Sequence, residues 1–403
     1  MKRISLLAII FISLFTLNYS EAKLQGSPRV AGPIKAGPTF VGGTISEDTT
    51  WNRAQSPYIV TADILVKTGV TLTINPDVEV KFDGYFGIRV DGILNAQGTL
   101  QSQITFTSNK ASPALGDWKR LQLSNTSVLN YCIVEYADTG VLASNTSPSI
   151  QNCVIQNNSR GLEFDLASSP TVLNNHILRN NTGIYLNGDA LRFPLGPINN
   201  NSIYNNFAKN LTTNGGSANL VVNALNNWWG TIDVYAILTG IRDNRLDPAL
   251  PVVDVSLILD KEGGNSVSIA PNPFSLTAIA GAELNTNYIS NTAAITGIDI
   301  PVYVGVSGSS GSSLIINGVD TGLTQSVISN GDTLAIKGAS ANAFQTQIEF
   351  TVNVGTFTTL WHITTLPDTD GDAITDGADN CPADPNPMQE DSDNDGIGNP
   401  CDV

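Results

Sequence analysis

Charge is scarce in this sequence, and so are helix formers. Only 14% of the 403 residues are Asp, Glu, Lys or Arg, while Gly (36 residues), Asn, Ser, Thr and Val are plentiful. That balance excludes a helical bundle and favours strands joined by turns, so an all-β fold is expected. Basic residues are scarcer still: the 20 Lys and Arg leave a net charge of −16. Such a surface does not suit a phosphate backbone, which removes nucleic acid from the expected partners. Long apolar runs are missing as well. The stretch from Ile4 to about Leu17 falls short of the about 20 residues that a bilayer span needs. With Lys2 and Arg3 before it and Ser20 and Ala22 after it, it reads as a signal peptide over residues 1–22. The protein is therefore expected to be secreted, extracellular or cell-surface associated, with no retained membrane span.

A chain of this length exceeds one ordinary core, so two or three domains are expected. The first is visible as a repeat. LNYCIVEYADTGV from Leu129, IQNCVIQNNSRGL from Ile150 and VLNNHILRNNTGI from Val172 align without gaps, 21 and 22 residues apart. INNNSIYNNFAKNL follows from Ile198 after an insertion around ALRFPLGP. Val134, Ile155, Ile177 and Ile203 take one equivalent position, and the residues after them must face the other way. Such a unit cannot bury its apolar face alone but can do so against copies of itself. Residues 40–255 are accordingly expected to form a right-handed parallel β-helix, with roughly nine coils from Tyr58 to about Val255, about 40 Å long at a strand spacing of about 4.8 Å. The upstream alternation, with Val78, Val80 and Phe82 inward and Glu79 and Lys81 outward, resembles the opening coils of secreted bacterial β-helix proteins. NNWWG at 226–230 is similar to the way such helices close.

Stacking puts Cys132, Cys153, Asn175 and Asn201 on one rung, where asparagine amides are expected to bond to one another and to turn backbone. Whether the two cysteines form a disulfide or stay as buried thiols is open at this point.

Polysaccharide lyases and glycoside hydrolases also use β-helices, through paired carboxylates or a basic residue beside them. The outward charges here, among them Lys119, Arg120, Glu135, Glu163 and Arg179, are scattered singly along the sequence. No polygalacturonase or pectate lyase signature is present. An enzyme acting from the β-helix face, with the insertion 189–197 as the place for its site, and a glycan-binding module are kept as alternatives; no catalytic residue is assigned.

After Leu259 the repeat stops. Strand-like pieces separated by Gly, Asn and Asp fit an antiparallel β-sandwich over residues 265–366. The order PFSLTAIAGAELNT, SNTAAITGID, INGVDTG and SNGDTLAIKG, within Pro271–Thr365, resembles a module repeated in large bacterial surface proteins. Trp361 is read as a core aromatic rather than a sugar platform.

The acid is concentrated at the end: residues 368–403 hold eleven Asp and Glu and no Lys or Arg. In DTDGDAITDGADNCP, Asp368, Asp370, Asp372, Asp376 and Asp379 take positions 1, 3, 5, 9 and 12 of a 12-residue calcium loop. In DSDNDGIGNPCD, Asp391, Asp393, Asp395, Asn399 and Asp402 repeat those positions. Hard oxygen ligands and few cysteines favour Ca2+ over zinc. Ala373 stands where the sixth position usually has glycine, and Asn399 where an aspartate would add charge. Residues 367–403 resemble the thrombospondin type 3 repeat through these two segments and the PNPMQ that links them. The resemblance implies Ca2+ bound with little regular secondary structure and a Cys381–Cys401 disulfide. The expectation is a secreted calcium-binding structural or adhesion protein of the cell surface or matrix, with extracellular glycans or cell-surface proteins as partners.

Overall fold

The computed structural model describes residues 37–194, 196–309 and 311–402. The leader expected at residues 1–22 lies outside them. Nearly all regular structure is β, and no described helix is long and apolar enough to cross a membrane.

From Thr39 the chain winds as a parallel β-solenoid with up to three short strands per coil. One coil shows the plan: Val154–Gln156, Arg160–Asp165 and Thr171–Leu173. Each strand pairs in parallel with its counterpart one coil on, as Ile155 with Ile177, Leu162 with Ile184 and Val172 with Ile198. Side chains that recur at the repeat distance therefore stack. Val134, Ile155, Ile177 and Ile203 are all fully buried, and each adds the burial of a core aliphatic, about 1.5–3 kcal/mol. Parallel pairing runs on to Leu211 with Ile241 and Val221 with Val252. The last turn holds the short helix Val234–Thr239, capped by the Asp233 side chain. The turns need left-handed backbone, and Asn152, Asn174, Asn200 and Asn226 supply it at one corner. Asparagine tolerates that region better than most residues.

The expected rung forms. The Cys153 N–H donates to Asn175 Oδ1 at 2.9 Å, Asn175 N–H to Asn201 Oδ1 at 3.0 Å, and Asn201 N–H to Asn227 Oδ1 at 2.8 Å. The two cysteines are free thiols, both buried. A second ladder, which the sequence reading passed over, runs through Asn158, Asn180 and Asn206: Asn158 accepts the Ala137 N–H at 2.8 Å, Asn180 the Asn158 N–H and Asn206 the Asn180 N–H, both at 3.0 Å. It explains the glycines of SRG and TG in the repeats. A Cβ at Gly161 would stand 2.9 Å from Asn180 Nδ2 and 2.6 Å from the Gly183 carbonyl.

Residues 279–365 form two five-stranded sheets. One has the order Ile279–Ala282, Phe357–Thr365, Gln347–Val354, Val302–Ser307, Gln325–Ile328. The other is built around Thr333–Ala339, with Asn287–Ile289, Ala293–Ala294 and Ser313–Ile316 against it and Val319–Asp320 beyond. Pairing is antiparallel except between Ile279–Ala282 and Phe357–Thr365. The Phe350 ring of the first sheet lies where a side chain at Gly338 of the second would be. Trp361 is fully buried beside Phe350, and its Nε1 donates to the Thr277 carbonyl at 3.0 Å. That geometry gives it a core role.

Leu366 ties the tail to this body: its N–H donates to Ala282 and its carbonyl accepts from Gln345, both at 3.0 Å. Beyond it residues 367–402 contain turns and bends but no strand or helix.

Candidate metal centre

Two loops of the tail bring carboxylates together. The side chains of Asp368, Asp370 and Asp372 place oxygens within 4.8 Å of one another, and those of Asp391, Asp393 and Asp395 do the same. The loops are built on one hydrogen-bond plan. Position 1 accepts from the N–H groups of positions 4 and 6: Gly371 (2.8 Å) and Ala373 (3.1 Å) on Asp368, Asn394 (2.8 Å) and Gly396 (2.9 Å) on Asp391. Position 3 accepts from position 5, and position 5 from position 7, in both loops. Short aspartates at alternate positions thus fold the backbone around themselves, which keeps one oxygen of each within 4.8 Å of the others.

Positions 9 and 12 behave differently. Asp376 accepts from the Thr369 N–H and hydroxyl, both at 2.7 Å, and Asn399 Oδ1 accepts from the Ser392 N–H at 2.9 Å. Both residues close their loops by holding position 2. Asp379 accepts from the Cys381 N–H and from Gln389 Nε2, each at 2.8 Å, and Asp402 is exposed. Neither Asp376, Asp379 nor Asp402 belongs to a carboxylate triplet. Asp376 and Asn399 thus accept hydrogen bonds from the backbone of their own loops, and Asp379 accepts from the backbone of Cys381 and the side chain of Gln389 in the connecting segment.

The link is specific. The Asn386 N–H of the connecting segment donates to Asp372 Oδ2 at 2.8 Å, and the Gly398 N–H donates to the Asn380 carbonyl at 2.8 Å. Cys381 and Cys401 are disulfide-bonded, their Cα atoms 5.8 Å apart.

Electrostatically the first loop is the more frustrated. Burial raises the Asp370 carboxyl above its usual range, and the charges of Asp372, Asp379 and Asp368 add to the rise against one backbone N–H from Asp372. Its Oδ2 is shielded from solvent and has no hydrogen-bond partner. A buried acceptor without a donor is costly. In the second loop the Gly396 N–H leads the groups that hold Asp391 below the usual range. With no Lys or Arg between residues 368 and 403, no side-chain cation of the tail compensates either cluster. The donor set is all hard oxygen, which suits a divalent ion such as Ca2+.

The solenoid's outer charges are largely engaged with one another. Asp63 pairs with Lys119 at 2.6 Å, Glu163 with Arg160 at 3.0 Å, and His176 with Glu262 at 2.9 Å. Glu135 accepts from Thr107 and Gln156. In the insertion, Asp189 pairs with Arg192 and Leu191 is 95% exposed. Stacking brings Arg89 to the lining of the same cleft as Lys119 and Arg120. The register that joins them, Arg89 beside Gln122, spans an irregular coil that the repeat period does not predict.

The family described as a pectate-lyase like beta helix domain matches residues 43–147. The chain is also similar to the Protein bark beetle of Drosophila melanogaster, 40% identical over 67 residues. That match covers 17% of this chain and 2% of the relative. No solved structure matches. A β-helix of this type is consistent with a carbohydrate-active or a structural role.

Proposed function

We propose that the protein is a secreted structural or adhesion protein: a β-solenoid rod, an antiparallel β-sandwich spacer and a tail organised by Ca2+. The observation that carries this reading is the pair of aspartate triplets on one hydrogen-bond plan, one of them with a buried, unpartnered carboxylate oxygen. Asp368, Asp370 and Asp372 would hold one ion and Asp391, Asp393 and Asp395 another. Backbone carbonyls and water would complete the about six to eight oxygens that calcium takes. Bound calcium would remove the repulsion within each cluster, so the tail would stiffen when loaded. Extracellular glycans or cell-surface proteins are the partners this architecture suits. Turnover is not part of the proposal, since the solenoid carboxylates Asp63, Glu135 and Glu163 are each engaged in an ion pair or hydrogen bonds.

The test is calorimetric titration of the full chain with Ca2+ and Mg2+, repeated on Asp370→Ala and Asp393→Ala. Saturable heat with calcium, reduced by one site in each variant, supports the reading. Weak heats that are alike for both ions, or unchanged in the variants, sink it.

A further inference from the structure

The strands of the first solenoid coil have a neighbour on one side only. Thr39–Ile45 pairs with Tyr58–Val66 and Thr49–Trp51 with Thr71–Ile74, and neither has a further partner among the described residues. Between these two rims the stacked interior opens as a groove of ≈ 290 Å³, lined by Phe40, Val41, Ile45, Trp51 and Ile64 among others and by no charged side chain. The register explains its apolar character. Val41 stands opposite Val60 and Ile45 opposite Val66, and both partners are fully buried. Val41 and Ile45 therefore face the core, yet with no coil beyond them they are only partly buried. Phe40, on the same strand, is 67% exposed.

The strand Thr39–Ile45, TFVGGTI, carries no charge and no proline. Free sheet edges are usually blunted by charges, prolines, bulges or short strands. Here a bulge between Val41 and Gly43 is the one such device within the strand, and Glu47 and Asp48 come only after it. An uncharged edge beside an open apolar groove is a template for another strand. The far end of the solenoid is closed. Its last turn is covered by the helix Val234–Thr239, in which Val234 and Ile237 are buried, and Tyr235 of that helix meets Tyr303 of the sandwich with ring centroids 5.5 Å apart.

With one end open, copies of the chain can join only like end to like end. A twofold axis normal to the sheet sets two Thr39–Ile45 strands antiparallel and keeps Val41 and Ile45 of both copies on the inward side. The first coil, from Thr39 to Pro57, supplies about 20 residues, the number that one side of a stable interface involves. We propose that a second copy of this chain covers the mouth of the solenoid, giving a head-to-head dimer in which Thr39–Ile45 pairs with its counterpart and the two grooves close on each other. The contact is isologous and stops at two. It does not rest on the calcium loops.

The experiment is sedimentation velocity of the full chain with a chelator present, so that calcium-dependent contacts play no part. Dimers should form between about 1 and 100 μM. Raising salt from about 0.05 to 0.5 M should not weaken them, because the contact is uncharged. Val41→Lys puts a charge in the mouth, where water reaches it in the monomer and not in the dimer, and should weaken association about tenfold or more. Phe207→Ser, which removes an aromatic of similar exposure (70%) from a later coil, should change nothing. Hydrogen exchange of the unaltered chain gives a second readout: the Thr39–Ile45 amides should exchange more slowly at the high end of that concentration range than at the low end. Misfolding does not produce that dependence. A chain that stays monomeric throughout overturns the proposal, and if its Thr39–Ile45 amides are protected all the same, another segment of the same chain covers the mouth. Assemblies larger than two, or dimers that Val41→Lys leaves intact, overturn the like-end contact.

Discussion

Ala373 and Gly396 hold the same sixth position of the two acidic loops, and both stand in left-handed backbone, at φ 75° and 91°. The N–H of each reaches the first aspartate of its loop, so the turn is needed to close the carboxylate triplet. An alanine pays for that conformation about 1 kcal/mol that a glycine does not. Ala373→Gly is therefore expected to strengthen calcium binding at the first loop about fivefold, and Gly396→Ala to weaken the second by a similar factor. Calcium titration of the two variants measures both.

Asn175 is buried and satisfied at both ends of its amide: it accepts from the Cys153 N–H and donates to the Ile150 carbonyl and to Asn201. Asn175→Ala strands those groups in the interior. A loss of about 2–4 kcal/mol of stability is expected, read as a shift of the denaturant midpoint. The same change at exposed Asn125 or Asn145 is expected to cost far less.

Cys132 and Cys153 sit inside the stack, the Cys132 N–H donating to Cys153 Sγ at 3.4 Å. Burial pushes the Cys132 thiol well above its ordinary value, and Cys153 adds to the rise. Because the thiolate is the reactive form, a thiol reagent at neutral pH should label neither cysteine in the native chain. Unfolding without reductant should expose both. Prompt labelling of the folded protein would contradict the packing.

Asp165 has its carboxyl raised first by burial and then by the charge of Glu163 on the same strand. The unfolded chain then loses that proton at lower pH than the folded one. Stability from this group is whole below the ordinary aspartate range and is lost as pH rises through the raised folded value. Asp165→Asn should raise the melting temperature at pH 7 and have little effect near pH 3, a difference that thermal scans at the two pH values would detect.

Much of the solenoid is legible in the sequence. Side-chain alternation and a repeat of 21 to 22 residues are local properties, and they place Val134, Ile155, Ile177 and Ile203 on one inward row without knowledge of the rest. The aspartate spacing was legible for the same reason: alternate residues of a tight loop converge whatever lies around them. The Asn158 to Asn206 ladder was present in the same aligned segments but was not read as a second rung.

By itself, then, the sequence determined the β-solenoid and the aspartate loops, because each depends on neighbours close along the chain. Tertiary structure alone decided that Asp376 and Asn399 close their loops rather than join a triplet, and that the two inner cysteines remain thiols. It also set Arg89 beside Gln122, so that Arg89 and Arg120 line one cleft. The strands that carry them pair across a coil whose length departs from the repeat. A contact between coils depends on how many residues the chain spends going round, and the local pattern does not contain that number.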